Sequence, residues 1–170
     1  MSNDATPTIR DRTAWITAAV ILVLDQAIKL LVTDALAPFQ HKPIIPGFFN
    51  LVLVYNKGAA FGILNDPDSS WQVLFFILIT LLAVIILVYL LRTTARRDRF
   101  FILGLGAILG GALGNLVDRI RLGKVIDYLD FSVRQFHWPA FNIADMAITL
   151  GALALIISLY RNERHASNTD

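Results

Sequence analysis

Residues 71–91 (WQVLFFILITLLAVIILVYLL) form an unbroken apolar run without one charged side chain. A helix of that length covers the roughly 30 Å hydrocarbon core of a bilayer. A helix apolar on every face is enclosed by protein or lipid, and blocks long enough to span a bilayer are the mark of a membrane protein. Three further segments have similar character: about 14–32, 100–117 and 142–160. They also account for the composition, 56% hydrophobic and 16% charged, where soluble domains average about 45–50% and about 25%. The expected fold is an all-α membrane protein, a single domain over residues 1–170 with four transmembrane helices.

Orientation follows from the short flanking segments. Arg10 and Arg12 precede the first span, Arg92, Arg96, Arg97 and Arg99 fill the loop after the second, and Arg161 and Arg164 follow the fourth. All fall on one side of a four-span chain, which the positive-inside rule makes cytoplasmic. Both termini are then inside, and two long loops, about 33–70 and 118–140, face outward. Trp15, Trp71, Trp138 and Tyr160 lie near expected span ends, as interfacial aromatics do. A cleavable secretory signal, with Ala35-Leu36-Ala37 as its cleavage site, is the competing reading of the first span. Asp25 and Lys29 interrupt the apolar run, and Pro38 follows the supposed site, so the span is read as retained.

The outward loops carry structure of their own. Residues 48–55 (FFNLVLVY) are β-branched and aromatic, bounded by Pro46-Gly47 and Asn56-Lys57-Gly58, and 124–131 (KVIDYLDF) is similar. These patterns predict two strands and a small sheet on the outer surface. Residues 58–64 (GAAFGIL) are too short to span and are expected to form a dipping or interfacial turn.

Chemistry narrows by residue type. Without cysteine, disulfides, thiol catalysis and cysteine metal sites are excluded. His41, His137 and His165 lack a second ligand at metal spacing, so no metal and no cofactor is expected. The net charge of +2 comes from arginines beside apolar spans, which suits membrane orientation and not nucleic acid. Ser132 with Lys124 is the one passable Ser–Lys pair, and nothing in the sequence holds the two at reacting distance.

Polar residues inside apolar spans need partners or a task. Asp25 and Lys29 lie four apart on the first helix and are expected to pair, with Lys29 also able to snorkel outward. Gly106, Gly110 and Gly114, with Gly111 beside them, mark a close helix–helix approach on the third span. Asn115 and Asp118 share a face near its outer end, and Arg119 is placed to neutralise Asp118 or another carboxylate. Asn142 suits an N-cap of the fourth helix and Asp145 its third position, where an acid complements the helix dipole. Asp127 sits in an apolar stretch of the loop leading into that helix, with Asp130 a weaker candidate nearby. Two carboxylates close together in a poorly hydrated site share a proton, the chemistry of aspartic peptidases. Buried acids also serve ion relays, so a small transporter or proton-conducting subunit is the alternative function.

Five blocks, in order, then match one family. Leu24-Asp25-Gln26 with Lys29, Asn56-Lys57-Gly58-Ala59-Ala60-Phe61-Gly62, Gly114-Asn115-Leu116-Val117-Asp118-Arg119, Val125-Ile126-Asp127-Tyr128 and Phe141-Asn142-Ile143-Ala144-Asp145 resemble the successive motifs of the lipoprotein signal peptidases. The resemblance covers nearly the whole chain except its tails. It implies an aspartic endopeptidase of the bacterial cytoplasmic membrane, with its sheet on the periplasmic side. Such an enzyme removes signal peptides from diacylglyceryl-modified prolipoproteins, cleaving on the amino side of the lipidated cysteine. It implies Asp127 and Asp145 as the catalytic dyad, with Asn56, Gly58, Asn115, Asp118, Arg119, Asn142 and Asp25 binding substrate or supporting the site. The partners expected are prolipoproteins and membrane lipids, with the chain acting as a monomer. The family's Val-x-Asp-Phe stands here as Val-Ile-Asp-Tyr, which adds a hydroxyl beside the dyad.

Overall fold

A computed structural model describes residues 9–58, 70–94, 98–133 and 136–167. In chain order the elements are α1 (Ile9–Ala35), β1 (His41–Ile45), β2 (Phe49–Asn56), α2 (Ser70–Thr93), α3 (Arg99–Leu122), β3 (Val125–Val133), β4 (Phe136–His137) and α4 (Ile143–Ser167). All four helices contain segments long and apolar enough to cross a membrane. The strands form one antiparallel sheet in the order β1-β2-β3-β4. They connect α1 to α2 and α3 to α4, so the sheet sits at the end of the bundle opposite the Arg12, Arg92, Arg99 and Arg161 ends. The expected dipping turn covers residues 58–64, of which all but Gly58 lie outside the described residues.

Helix α3 is the axis of the bundle: 67% of its most apolar window is buried, against 6% for α2. Glycine makes this possible on two faces. A Cβ at Gly106 or Gly110 would stand 2.6 Å from the carbonyl oxygen of Ala14 or Ala18 on α1. One at Gly104 would stand 2.8 Å from the Gly151 oxygen on α4, and one at Gly111 would collide with the Ala144 carbonyl. The four-residue glycine series therefore seats α1, as its spacing predicts, while Gly104 and Gly111 seat α4. Where lipid offers no hydrophobic drive between helices, such backbone proximity supplies the packing.

The helices overrun the expected spans. Helix α3 does not end near Val117; it continues to Leu122, so Asp118 and Arg119 belong to its last turns and not to the outward loop. Hydropathy marks where apolar residues stop, whereas the hydrogen-bonded helix stops at its cap. Asp98 accepts from the Phe100 and Phe101 N–H groups at one end, and Gly123, at φ 67°, closes the other by donating to the Arg119 carbonyl. Glycine carries no Cβ penalty in this left-handed conformation. The turn it makes aims the chain directly into β3.

Two apolar clusters bracket the polar centre. Ala14, Ala18, Leu87, Leu91, Phe101, Leu105 and Leu109 join α1, α2 and α3 toward the arginine-bearing end. Val32, Leu36, Leu53, Ile126 and Tyr128 seat the sheet on the far end of α1. Strands β2 and β3 match the expected pair with shifted ends, whereas β1 and β4 were not legible in the sequence.

Candidate active site

Strand β3 is buried on both faces at its start, so Asp127 is only 2% exposed. It lies opposite Val54 in the β2–β3 ladder, and from the end of β2 the Asn56 amide donates to its Oδ2 at 3.1 Å. Leu129, two residues on, pairs with Phe141 through backbone hydrogen bonds of 2.8 and 3.1 Å. That bridge carries the chain from the sheet to the start of α4 and sets Asn142 beside Asp127. The Asn142 Nδ2 donates to Asp127 Oδ1 at 2.8 Å.

Helix α4 then opens with a reciprocal cap. Asn142 Oδ1 accepts from the Asp145 N–H at 2.9 Å, while Asp145 Oδ2 accepts from the Asn142 N–H at 3.2 Å. This is capping-box geometry with Asp in place of Glu at the third position. Asp145 therefore caps, as its position suggested, and it also shares the partner Asn142 with Asp127. Fully buried Asn142 touches both carboxylates, one through its side chain and one through its backbone. From α3, Asn115 Nδ2 donates to Asp145 Oδ1 at 2.8 Å.

Behind this pair lies a buried ionic cluster. Lys29 Nζ is 2.8 Å from Asp25 Oδ2 and 2.7 Å from Asp118 Oδ2, and donates to Asn115 Oδ1 at 3.1 Å. Its expected pairing with Asp25 is present, but it does not snorkel: at 1% exposure it is enclosed, because α3 offers it a carboxylate and an amide. Asp25 Oδ1 accepts from the Ala144 N–H at 3.0 Å, which ties α1 to the first turn of α4. Asp118 accepts from the Ile126 N–H at 3.2 Å and from Gln26 Nε2 at 3.0 Å, which fixes the approach to Asp127. Burying three charges is tolerable when each is paired and hydrogen-bonded. The expected site residues do not include Lys29 and Gln26, although a lysine four residues after an aspartate in a membrane span is a signal for such a cluster.

Arg119 makes no direct ion pair with Asp118, which is paired with Lys29, but the charges of Asp145, Asp127 and Asp118 all act on it. Its guanidinium reaches the Gly58 carbonyl at 3.4 Å and the Asn115 carbonyl at 3.5 Å, and lies 5.0 Å from the Phe76 ring centroid. Gly58 in turn donates its N–H to Asn56 Oδ1 at 2.9 Å. Gly58 thus links Arg119 to the amide that holds Asp127. Asp130 is turned to a different set, accepting from Asn50 at 2.8 Å with His41 Nδ1 at 3.9 Å. Lys124 lies over the Tyr55 ring, 3.6 Å from its centroid, while Ser132 is buried near the other end of β3. Among the described residues no three His, Cys, Asp or Glu side chains converge on a metal position.

Burial pushes the Asp127 carboxyl well above the usual carboxylate range, to about 7, and the neighbouring Asp145 charge adds to the rise. Hydrogen bonds from Asn56 and Asn142 and the Lys29 charge oppose it. An acid so placed holds a proton near neutrality, as general acid–base chemistry requires. Burial likewise raises the Tyr128 hydroxyl, which accepts from the Ile143 N–H at 3.3 Å in the first turn of α4. Tyr128→Phe removes that acceptor and is expected to lower stability by about 1 kcal/mol. Thermal unfolding in detergent checks it; an unchanged midpoint means the hydroxyl bond contributes nothing.

A family model described as signal peptidase (SPase) II matches residues 17–161. A lipoprotein signal peptidase of Maridesulfovibrio salexigens is 51% identical over 150 residues, spanning 88% of this chain and 96% of the relative. That of Nitratidesulfovibrio vulgaris is 47% identical over 145 residues, 85% of this chain and 87% of the relative. A solved structure described as a bacterial membrane enzyme, determined by the in meso method at 2.3 Å resolution, superposes with a TM-score of 0.79 at 32% identity. The match covers 89% of each chain.

Proposed function

The chain belongs to the signal peptidase II family, a membrane aspartic peptidase removing signal peptides from prolipoproteins, and we propose that Asp127 and Asp145 are its catalytic dyad. The observation that carries this assignment is Asn142, which hydrogen-bonds to both carboxylates at once. The matches are to peptidases, and the ion-relay alternative has no support. The bilayer concerned is the bacterial inner membrane, with the arginine-bearing helix ends cytoplasmic and the dyad toward the periplasm. Residues 1–170 act as a single domain and as a monomer, since one chain supplies every group named.

The reaction needs one proton on the pair. The ionised aspartate takes a proton from water as its oxygen bonds to the scissile carbonyl carbon. The protonated partner donates to the carbonyl oxygen. The tetrahedral gem-diol collapses as the C–N bond breaks, and the proton taken from water passes to the leaving nitrogen. The other aspartate recovers a proton from a diol hydroxyl as the carbonyl re-forms, so the pair again holds one proton. That nitrogen belongs to the cysteine, which already carries diacylglycerol. A lipid-anchored substrate arrives laterally, and a dyad at the outer ends of the helices lies where its bond presents itself. Asn56, Asn115 and Asn142 hold the carboxylates; Asp25, Asp118, Arg119 and Gly58 support those holders.

A purified prolipoprotein offered with and without its diacylglyceryl group tests the reading by gel shift. Only the lipidated form is expected to be cleaved; equal cleavage of both forms removes the lipid from substrate recognition.

The pair also sets a pH dependence. A proton held to about 7 is lost above it, so kcat/KM is expected to fall about tenfold per unit on the alkaline side. The fall belongs to the coupled pair, not to either residue alone. Stability shifts in the same direction. The Asp127 proton is retained in the folded state up to about 7 but released near 4 on unfolding. Its contribution is thus fully present below pH ~4 and lost as pH rises through 7. A rate still climbing at alkaline pH, read from initial rates in detergent, contradicts the shared proton.

A further inference from the structure

Lys29 is donor-only, and that property has a directional result. A lysine ammonium can donate three hydrogen bonds and accept none. Facing Lys29 Nζ at 3.1 Å, the Asn115 amide must present its oxygen. Its nitrogen then points the other way, to Asp145 Oδ1 at 2.8 Å. The same Asn115 oxygen accepts from Asn142 Nδ2 at 3.2 Å, and that NH2 group also serves Asp127. Polarity therefore runs from the ammonium through one amide to Asp145, and the neighbouring amide has its donors turned toward Asp127. With the amide reversed, an oxygen would face a carboxylate oxygen, a buried contact without a hydrogen bond to stabilise it.

Resting on the dyad assignment above, we propose that Lys29 is a positioning residue that fixes the orientation of the Asn115 amide and so directs a donor at Asp145. Asp25 and Asp118 hold the ammonium in place at 2.8 and 2.7 Å, so the α1–α3 contact serves the active site as well as the bundle. Substrate does not need to touch Lys29 for its loss to be felt in the chemical step. The fully buried lysine acts on catalysis through one intermediate side chain.

The test is a mutant cycle in a charge-balanced form. Lys29→Met with Asp118→Asn replaces one ammonium and two carboxylates by a single carboxylate, so the cluster keeps its net charge. In the Asn115 protein this pair is expected to lower kcat about tenfold or more, the scale of a misplaced catalytic group, with KM within about twofold. In Asn115→Ala the pair is expected to lower kcat no further than Asp118→Asn alone does in that background, since the amide through which Lys29 acts is gone while the Asp118 contact with Ile126 is altered in both. Losses that multiply across the two backgrounds, or that fall on KM alone, overturn the proposal. If the pair does not fold by thermal unfolding in detergent, Lys29→Met with Asp25→Asn, which keeps the same net charge, is read in the same two backgrounds. Asp127→Asn and Asp145→Asn run alongside: if they are active, the dyad assignment fails; if they are inactive while the cycle is additive, only the role of Lys29 fails.

Discussion

Asparagine at position 127 or 145 is expected to lower prolipoprotein cleavage by at least about a thousandfold, the upper range of what a single acid–base group supplies. Both variants should also disturb the fold. At Asp145 the Oδ2 that caps Asn142 has an equivalent in the asparagine oxygen, and the amide nitrogen then meets the Asn115 donor. At Asp127 both oxygens accept from side-chain amides, Asn56 and Asn142, so an introduced NH2 must face one of them. Each variant thus turns an NH2 group toward one amide donor, and both are expected to unfold at a lower temperature than wild type as well as to be inactive. Turnover of lipidated substrate and thermal unfolding, measured on the same preparations, check both statements. Either variant within tenfold of the wild-type rate would mean that the reacting carboxylates are elsewhere.

The second large effect concerns packing. Gly110→Leu puts a Cβ 2.6 Å from the Ala18 oxygen and 2.9 Å from the Ala18 Cα and Ile21 Cβ. Backbone cannot yield as a flexible side chain does, so α1 must move away from α3. Overpacking of this kind costs about 3 kcal/mol, and here it also separates Lys29 from Asp118 and Asn115. Both the unfolding midpoint and activity are expected to fall. Ala83→Leu, on an exposed position of α2, is the control and is expected to stay within about 0.5 kcal/mol of wild type. Equal midpoints for the two variants would show that the glycine face does not hold these helices together.

Much of this arrangement was legible in the chain because a membrane simplifies the code. Twenty apolar residues have few alternatives, and the 106–110–114 series announced a close helix contact. Helix ends were less legible, since the cap at Gly123 lies beyond the polar Asp118 and Arg119 that seemed to end the span. Strand β1 (HKPII) contains a proline, which argues against a central strand and suits an edge, and all five of its residues are exposed. Strand β4 is two residues long and leaves no periodic signal. In the site, residue types and motif order named the aspartates and asparagines, but not who holds whom. Asp127 meets Asn142 only because Leu129 pairs with Phe141, and the partners of Lys29 are written on α3, not on α1. Local sequence carries propensity; these meetings are set by register and by helix rotation.

The cap at the head of α4 bears on how an inhibitor could be defeated. Asn142 and Asp145 hold the helix start and, in the reading above, the reacting groups, so a replacement at either is penalised in folding and in turnover at once. A compound that drew its hydrogen bonds from these two residues would leave a bacterium little room for resistance inside the site. Escape would have to come from exposed side chains at the sheet margin, such as Phe39 or Ile45, away from the residues that hold the helix start.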